Sequence, residues 1–340
     1  MPTRIASFTA LLITILAATG CGGASDTKGD SASASTGGAS KGSVSLVAYS
    51  TPQVVYDDLI PAFQKTDAGK GVTFKTSFGA SGDQSRAVEA GQKADVVSFS
   101  IEPDVTRLVK SGQVAADWAG GPTKGLVSTS VVSFIVRKGN PKHIRTWADL
   151  LKPGVQVLTP NPFTSGAAKW NLLAAYGQAG GGAKGLAYVR ELLTKHVKVQ
   201  DKSGREALQD FTSGNGDVLL SYEYEATTAQ KKGEDVDFVT PDKTIKINID
   251  IAKTKTASPK AQAFLDYVLS AAGQKQFVAW GYRPVDPGLI ASTKSRFPVP
   301  AGLFTIDSLG GWTKLNDTLF DPEKGSIAKI EEQAGVSTAK

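Results

Sequence analysis

The residues best placed for chemistry lie in residues 159–170, which read TPNPFTSGAAKW. Two closely spaced prolines exclude helix and strand at its start, whereas the following AAKWNLLAAY carries apolar residues at helical spacing. We therefore expect a rigid turn and then a helix whose first turn contains Thr164, Ser165, Gly166 and Ala167. The unpaired N–H groups and the positive dipole end of a helix N-terminus attract anions. Ordinary N-capping by Ser or Thr is the alternative interpretation.

The same pattern occurs four times, each time where a strand-like run ends in hydroxyl or glycine residues that open a helix. The four positions are Ser50/Thr51, Ser81, Ser165/Gly166 and Ser203/Gly204. At the first of them, we expect Ser50 or Thr51 to cap the following helix. In open α/β sheets, ligands lie at the carboxyl ends of strands and the N-termini of helices. Four such helix starts meeting in one cleft would surround an anion with neutral N–H and O–H donors.

Strand-like and helix-like runs alternate along most of the sequence. Strands are predicted at residues 44–48, 72–78, 94–99, 131–137, 155–158, 197–199, 217–222 and 245–251, with helices between and after them. This alternation predicts an α/β protein with mainly parallel sheets. A length of 340 residues favours two lobes, and 41% hydrophobic with 21% charged residues is typical of a globular protein with a sizeable core.

Few residues of the chain fit a catalytic or metal centre. His143 and His196, the two histidines, lie in polar, basic contexts and are expected at the surface. The motifs GxSxG, HExxH and GxxxxGK(S/T) and paired cysteines are absent, so we predict no enzyme, no metal and no cofactor. Four acidic residues near helix starts are interpreted as first-turn or surface charges: Asp57, Asp58, Glu223 and Glu225. The formal charge of +6 is scattered, which favours small anionic partners and argues against nucleic acid.

The N-terminus predicts an exported, membrane-anchored protein. A basic residue precedes an apolar run, residues 8–18, which is too short to span a bilayer and suits a signal peptide over residues 1–20. Small residues before Cys21, the single cysteine, look like a bacterial lipobox, although Ala18 stands where leucine is commoner. We expect Cys21 to be acylated and residues 21–42 to form a flexible Gly/Ser/Ala tether. A free thiol after an ordinary signal peptide is the alternative.

The opening segment resembles the signature of periplasmic sulfate-binding proteins, the extracytoplasmic receptors of sulfate and thiosulfate ABC importers. Similar segments follow in order over most of the chain: GASG at 79–82, VRKGNPK at 136–142, GDVLL at 216–220, YRP at 282–284 and LFTID at 303–307. The resemblance implies the type II periplasmic-binding-protein fold, in which two α/β lobes are joined by a hinge and the ligand lies in the cleft. On that pattern, lobe 1 comprises residues 43–130 and 252–300, lobe 2 residues 131–251, and residues 301–340 pack on the lobes.

The resemblance also implies a set of site residues. Its anion contacts correspond to Ser50, Ser81, Ser165, Gly166, Ala167, Gly204 and Tyr222, with Thr51, Thr164 and Arg205 supporting them from behind. Three positions depart from the family pattern. Tyr222 stands where many members have a tryptophan that donates its indole N–H, Ser50 where an aspartate usually braces the binding loops, and Ala167 where glycine is commoner. We expect the neighbouring Lys169 to face water and Trp170 to pack in the core.

The residues at the four helix starts favour an anion without a proton. Sulfate is a dianion at neutral pH, so every group around it should donate, and Asp83 is the one acid near the predicted helix starts. This pattern favours sulfate, thiosulfate, molybdate or tungstate over phosphate. The resemblance implies a lipoprotein on the outer face of the cell membrane that delivers sulfate to the permease and ATPase of an ABC importer. A receptor for molybdate or another oxyanion, a secreted hydrolase on the same scaffold, and an adhesin or sensor without transport are the alternatives.

Overall fold

The computed structural model describes residues 42–339. The predicted signal peptide, the predicted acylation site Cys21 and the tether up to residue 41 lie outside the described residues. Within the described part of the chain, no helix is both long enough and apolar enough to cross a membrane.

Ten strands of the described chain join in one sheet. They are β1 Ser43–Tyr49, β2 Thr73–Gly79, β3 Val96–Phe99, β4 Leu126–Arg137, β5 Val157–Leu158, β6 Val197–Val199, β7 Val218–Tyr222, β8 Val236–Val239, β9 Lys243–Lys253 and β10 Gly302–Phe304. The eight predicted strands are all present, although β4 and β9 are longer than predicted and β5 is shorter. The short strands β8 and β10 were not predicted, because each is part of a polar or proline-flanked segment without a clear alternation.

Twelve α-helices cover most of the remaining described residues. They are α1 Gln53–Gln64, α2 Ser81–Glu89, α3 Glu102–Lys110, α4 Gly166–Gln178, α5 Gly182–Glu191, α6 Gly204–Thr212, α7 Glu223–Lys231, α8 Pro259–Leu269, α9 Ala271–Ala279, α10 Pro287–Ser292, α11 Gly311–Thr318 and α12 Ser326–Gln333. Short helical turns occur at Trp147–Leu151, Leu192–His196 and Asp307–Leu309. The alternation of strands with helices confirms the α/β class.

The strand order is β2-β1-β3-β9-β4-β7-β5-β6, with β10 added to β9 and β8 to β4. Five strand pairs are parallel, and each of the four antiparallel pairs involves β4 or β9. The prediction of mainly parallel sheets is therefore right for the flanking strands and wrong for these two. Their direction is reversed because they cross between the two halves of the sheet: Leu126–Val131 of β4 pairs with β9, and Val132–Arg137 with β7 or β8.

The strands nearest the site are buried along their whole length. Every residue of β3 (VVSF) and of β7 (VLLSY) is buried, as expected for strands covered by helices on both faces. Because both strands end at the same region of the molecule, the residues that follow them, Ser100 and Glu223, are carried into the interior. The sheet thereby fixes the positions of the loops that form the candidate site.

The C-terminal helices pack against α4 and α5 and correct one side-chain prediction. The rings of Trp170 and Trp312 meet edge to face with centroids 4.8 Å apart, and Trp170 is fully buried as predicted. Lys169, which we expected to face water, donates from Nζ to Oδ1 of Asn316 at 2.9 Å and lies 5.1 Å from the ring centroid of Phe320. These partners of α4 lie after residue 310, so the local sequence of α4 did not indicate them.

The two histidines differ from each other. His143 is exposed, as predicted. His196 is only 7% exposed, and its Nδ1 lies 3.2 Å from the carbonyl oxygen of Val155, so the prediction of a surface histidine is wrong there. The helical turn Leu192–His196 coils the chain so that its last side chain points inward even though polar residues surround it in sequence.

Candidate functional site

The starts of α2, α4 and α6 meet at one place, as the sequence pattern predicted. The N–H of Gly82 in α2 donates to the carbonyl oxygen of Thr164, just before α4, at 3.1 Å. A Cβ built on Gly204 at the start of α6 would lie 3.6 Å from Cβ of Ala167 in α4 and 3.2 Å from Cγ2 of Thr51. These contacts bring three helix N-termini and the loop between β1 and α1 within van der Waals distance of one another.

Gly166, the first residue of α4, lies against the loop that follows β3. A Cβ at this position would overlap Oγ of Ser100 and would lie 3.1 Å from Cγ2 of Ile101. Only glycine allows the helix start to approach this loop so closely. The predicted contact residues Ser81, Ser165, Ala167 and Tyr222 are each no more than 5% exposed, so the site is closed to solvent.

Side-chain capping accounts for one of the four helix starts and not for the others. Oγ of Ser203 accepts from the N–H of Glu206 at 3.2 Å, which is ordinary capping of α6. The side chain of Ser165 makes no capping bond to α4. The prediction that Ser50 or Thr51 caps α1 is wrong: Pro52 is the N-cap residue, and Oγ1 of Thr51 is hydrogen-bonded to the phenol of Tyr224 at 2.8 Å.

A buried carboxylate, that of Asp104, touches the site and was not predicted. Oγ of Ser81 donates to Oδ2 of Asp104 at 2.7 Å, and burial raises the pKa of this carboxyl group. The expectation that Asp83 is the one acid near the helix starts is therefore wrong. Asp83 lies in the first turn of α2, where it pairs with Arg86 and with Lys202. Asp104 escaped notice because it is the third residue of α3, and only the packing of α3 on α2 turns it towards Ser81.

A cavity of about 30 Å³ lies between the starts of α2 and α4. Its lining residues are Gly82, Arg86, Ile101, Asp104, Arg107, Pro162, Phe163, Thr164, Ser165, Gly166 and Lys169. A cavity of this size holds about one water molecule. Three of the lining residues are cations, and each of them lowers the pKa of Asp104 against the larger effect of burial. The positive side chains outnumber the single carboxylate, so the cavity favours negative charge.

Arg205 joins α6 to the loop between β1 and α1. Its Nη2 donates to the carbonyl oxygens of Ser50 at 3.0 Å and of Thr51 at 2.9 Å. This contact holds the loop at residues 50 and 51 against the start of α6. Glu225 lies close by, and its pKa is raised to about 7 by burial, with Arg205 and Lys232 lowering it in part. Arg205 therefore holds a loop and also partly balances a buried carboxyl group.

Glu223 and Glu225 are buried, so their interpretation as surface charges is wrong. Glu223 is 7% exposed and forms a two-point ion pair with Arg283, at 2.7 Å and 2.9 Å. Glu225 is fully buried. Both lie in the first turn of α7, as predicted, but α7 follows a fully buried strand directly. Asp57 and Asp58 are exposed, as predicted.

Tyr222 and Ser100 contribute two buried hydroxyl groups without a hydrogen-bond partner among the described residues. The ring of Tyr222 stacks on Tyr224 at 5.0 Å and meets the edge of Tyr49 at 6.4 Å. Burial raises the pKa of Tyr222 far above its ordinary value, so the phenol keeps its proton and can donate. Ser100 was not predicted, although its position directly after β3 is the kind of strand end where ligands bind.

The comparisons with known proteins identify the family of this chain. Residues 44–283 match the family model described as bacterial extracellular solute-binding protein. The chain belongs to this family. The solute-binding protein is 38% identical to a sulfate-binding protein of Synechococcus elongatus over 95% of this chain and 94% of that relative. It is 33% identical to a thiosulfate-binding protein of Pseudomonas aeruginosa, over 81% and 88% of the two chains.

A solved structure, the sulfate-binding protein SubI from Mycobacterium tuberculosis H37Rv, is 47% identical to the solute-binding protein. The two superpose with a TM-score of 0.80 over 82% of this chain and all of that one. The resemblance inferred from the sequence motifs and the type II periplasmic-binding-protein fold are both confirmed. The relatives are binding proteins, and the family places this protein outside the cytoplasm.

Proposed function

We propose that this protein captures sulfate between its two lobes and delivers it to the permease and ATPase of an ABC importer. The observation that carries the proposal is the meeting of three helix N-termini and several buried hydroxyl groups at one closed site. Relatives named for sulfate and thiosulfate binding support the choice of ligand. The thiosulfate-binding relative makes thiosulfate the second candidate for the same site.

The proposed ligand contacts are those expected from the sequence. The proposed direct donors are Ser81, Ser165, Gly166, Ala167, Gly204 and Tyr222, together with the loop at Ser50, while Thr51, Thr164 and Arg205 hold these groups in place. Ser81 would contribute its backbone N–H, because its hydroxyl proton is donated to Asp104. Hydroxyl and amide donors suit a dianion that has no proton to give. The charge of Asp104 is offset by Lys169, Arg107 and Arg86, which line the same cavity.

Closure of the lobes is proposed to complete the donor shell. We assign residues 43–130 and 252–300 to lobe 1, residues 131–251 to lobe 2, and residues 301–340 to a segment that packs on both. On this assignment, several hydrogen-bonded contacts join the lobes, among them Gly82 with Thr164, Ser100 with Trp170, and Arg205 with the loop at residues 50–51. The geometry is that of a closed form, and sulfate would favour it by binding it more tightly than an open form.

Two serine variants with opposite expected effects on affinity and stability test the assigned site. Ser165→Ala is expected to weaken sulfate binding about 10- to 100-fold with little loss of stability, since the hydroxyl accepts no capping bond from its own helix and is proposed to donate to the anion. Ser270→Ala is the matched control, because Oγ of Ser270 caps α9 by accepting from the N–H of Gly273. It should lower the free energy of unfolding by about 1 kcal/mol and leave sulfate affinity unchanged.

Calorimetric titration with sulfate and thermal unfolding measure the two effects separately. If Ser165→Ala loses stability and keeps its affinity, the hydroxyl is a structural group and the assigned site is wrong. Unchanged binding by both variants leads to the same conclusion.

We propose that acylated Cys21 anchors the protein to the outer face of the cell membrane. Cys21 lies outside the described residues, and the small residues before it and the polar tether after it are the support for the anchor. Cys21→Ser should then move the protein from the membrane fraction to the soluble fraction, and persistence in the membrane fraction would contradict the anchor.

A further inference from the structure

The backbone of Ser100 is fixed at the centre of the site by residues from both lobes. Its N–H donates to Oγ of Ser81 at 3.1 Å, and its carbonyl oxygen accepts from Nε1 of Trp170 at 2.6 Å. The residue is 1% exposed. Ser100 therefore has little freedom to move away from the starts of α2 and α4.

Unlike the backbone of Ser100, its side chain makes no hydrogen bond within residues 42–339. Oγ is buried without a hydrogen-bond partner in the described part of the protein, and it lies directly over Gly166, the first residue of α4. A buried hydroxyl without a partner costs about 1–3 kcal/mol, and a ligand that accepted from it would remove that cost. Because Gly166 has no side chain, no Cβ atom covers the hydroxyl of Ser100 at this point.

A second unpartnered hydroxyl lies beside the first. Oη of Tyr222 is fully buried. The nearby hydroxyl of Ser100 lowers the pKa of this phenol, as a hydrogen-bonding neighbour does, against the dominant effect of burial, although the two hydroxyls fall short of full hydrogen-bond geometry. Aromatic contacts with Tyr49 and Tyr224 fix the ring. Two protonated hydroxyls from opposite lobes thus lie next to a helix N-terminus, which favours an anion between them.

We propose that Ser100 is a further ligand-binding residue, whose hydroxyl donates to a tetrahedral oxyanion together with that of Tyr222. The inference rests on the proposed function and adds to it a contact that the sequence motifs did not include. The pair explains how the site works with a tyrosine at position 222: the phenol and the serine hydroxyl supply two O–H donors across the closed cleft. Each hydroxyl gains the partner that it lacks within the protein.

The test is calorimetric titration of purified protein with sodium sulfate, using Ser100→Ala, Tyr222→Phe and the double variant. Each single variant is expected to weaken sulfate binding about tenfold, and the double variant about 100-fold, since each loses one hydrogen bond to a charged ligand. The melting temperature without sulfate should stay the same or rise, because an unsatisfied buried hydroxyl has been removed. The rise in melting temperature on adding sulfate should shrink.

Ser98→Ala is the matched control. Oγ of Ser98 is also buried in β3 without a hydrogen-bond partner among the described residues, but it lies beside Tyr56 of α1. Its removal should leave sulfate affinity unchanged. Wild-type affinity in Ser100→Ala, with normal sulfate binding by the wild-type protein, would overturn the role of Ser100 and leave the proposed function standing. A wild-type protein that does not bind sulfate would overturn the proposed function, and this contact with it.

Discussion

Gly166→Ala is expected to weaken sulfate binding by about 30- to 1,000-fold, the largest effect of any single methyl group in this protein. The added Cβ would overlap Oγ of Ser100 and press on Cγ2 and Cγ1 of Ile101 at 3.1 and 3.2 Å. Ile101 is buried and cannot move aside freely. Overpacking of this kind costs about 2–4 kcal/mol in affinity, since the clash lies between the start of α4 and the loop after β3 and opposes closure.

The measurement is calorimetric titration with sulfate, with thermal unfolding to show that the variant is folded. Gly121→Ala is the control, because a Cβ at Gly121 meets no atom within 4 Å. Gly121→Ala should bind sulfate as the wild type does. Binding by Gly166→Ala within about threefold of the wild type would show that the close approach of α4 to the β3 loop does not serve the ligand.

Arg205→Ala is expected to lower the free energy of unfolding by about 2–3 kcal/mol and sulfate affinity about tenfold. The guanidinium bridges two backbone carbonyls of the loop at Ser50 and Thr51, and hydrogen bonds from a charged donor contribute about this much. Without the bridge, two carbonyl groups lose their partner and the loop is free to move away from the start of α6.

The difference in stability between the wild type and Arg205→Ala should grow as the pH rises from 6 to 8. Burial raises the pKa of Glu225 to about 7, above its ordinary value, so the folded protein binds a proton that the unfolded chain has released. Stability therefore falls as the pH rises through that range. Arg205 lowers the pKa of Glu225 in part. In Arg205→Ala this pKa is therefore higher still, and the stability of the variant keeps falling at pH values where that of the wild type no longer does.

Denaturant unfolding at pH 6 and pH 8 tests this dependence. Arg205→Lys keeps the charge and should restore much of the wild-type pH dependence while recovering less of the affinity, because an ammonium group does not reproduce the planar guanidinium. Arg145→Ala, at an exposed position, should change neither property. A loss of stability in Arg205→Ala that is the same at both pH values would show that Arg205 and Glu225 are not coupled.

The helix starts could be predicted from the sequence because the signal is local. Small hydroxyl and glycine residues after a strand mark the end of one element and the beginning of the next, and α2, α4 and α6 begin at the predicted positions. That these starts meet was an inference from the rule for α/β sheets and from the family motifs. The contacts among Gly204, Ala167 and Thr51 show that these chain segments lie next to one another.

The side chains that were mispredicted have tertiary partners far away in sequence. Lys169 contacts Asn316, and Asp104 in the first turn of α3 accepts from Ser81. Glu225 is buried by packing around α7. A polar residue in a helix first turn looks the same in sequence whether it faces water or a neighbouring helix, so the local pattern could not separate the two cases.

The most direct test of a sulfate site is a paired titration of the purified protein with sulfate and with phosphate at neutral pH. We predict one-to-one sulfate binding and phosphate binding weaker by at least about 100-fold, since the N–H groups at the helix starts can only donate and a protonated phosphate oxygen gains nothing from them. Asp104 is the one carboxylate that lines the cavity between α2 and α4, and its Oδ2 already accepts from Ser81. Phosphate binding as tight as sulfate binding would show that Asp104 serves the ligand and would contradict the assignment of a sulfate receptor.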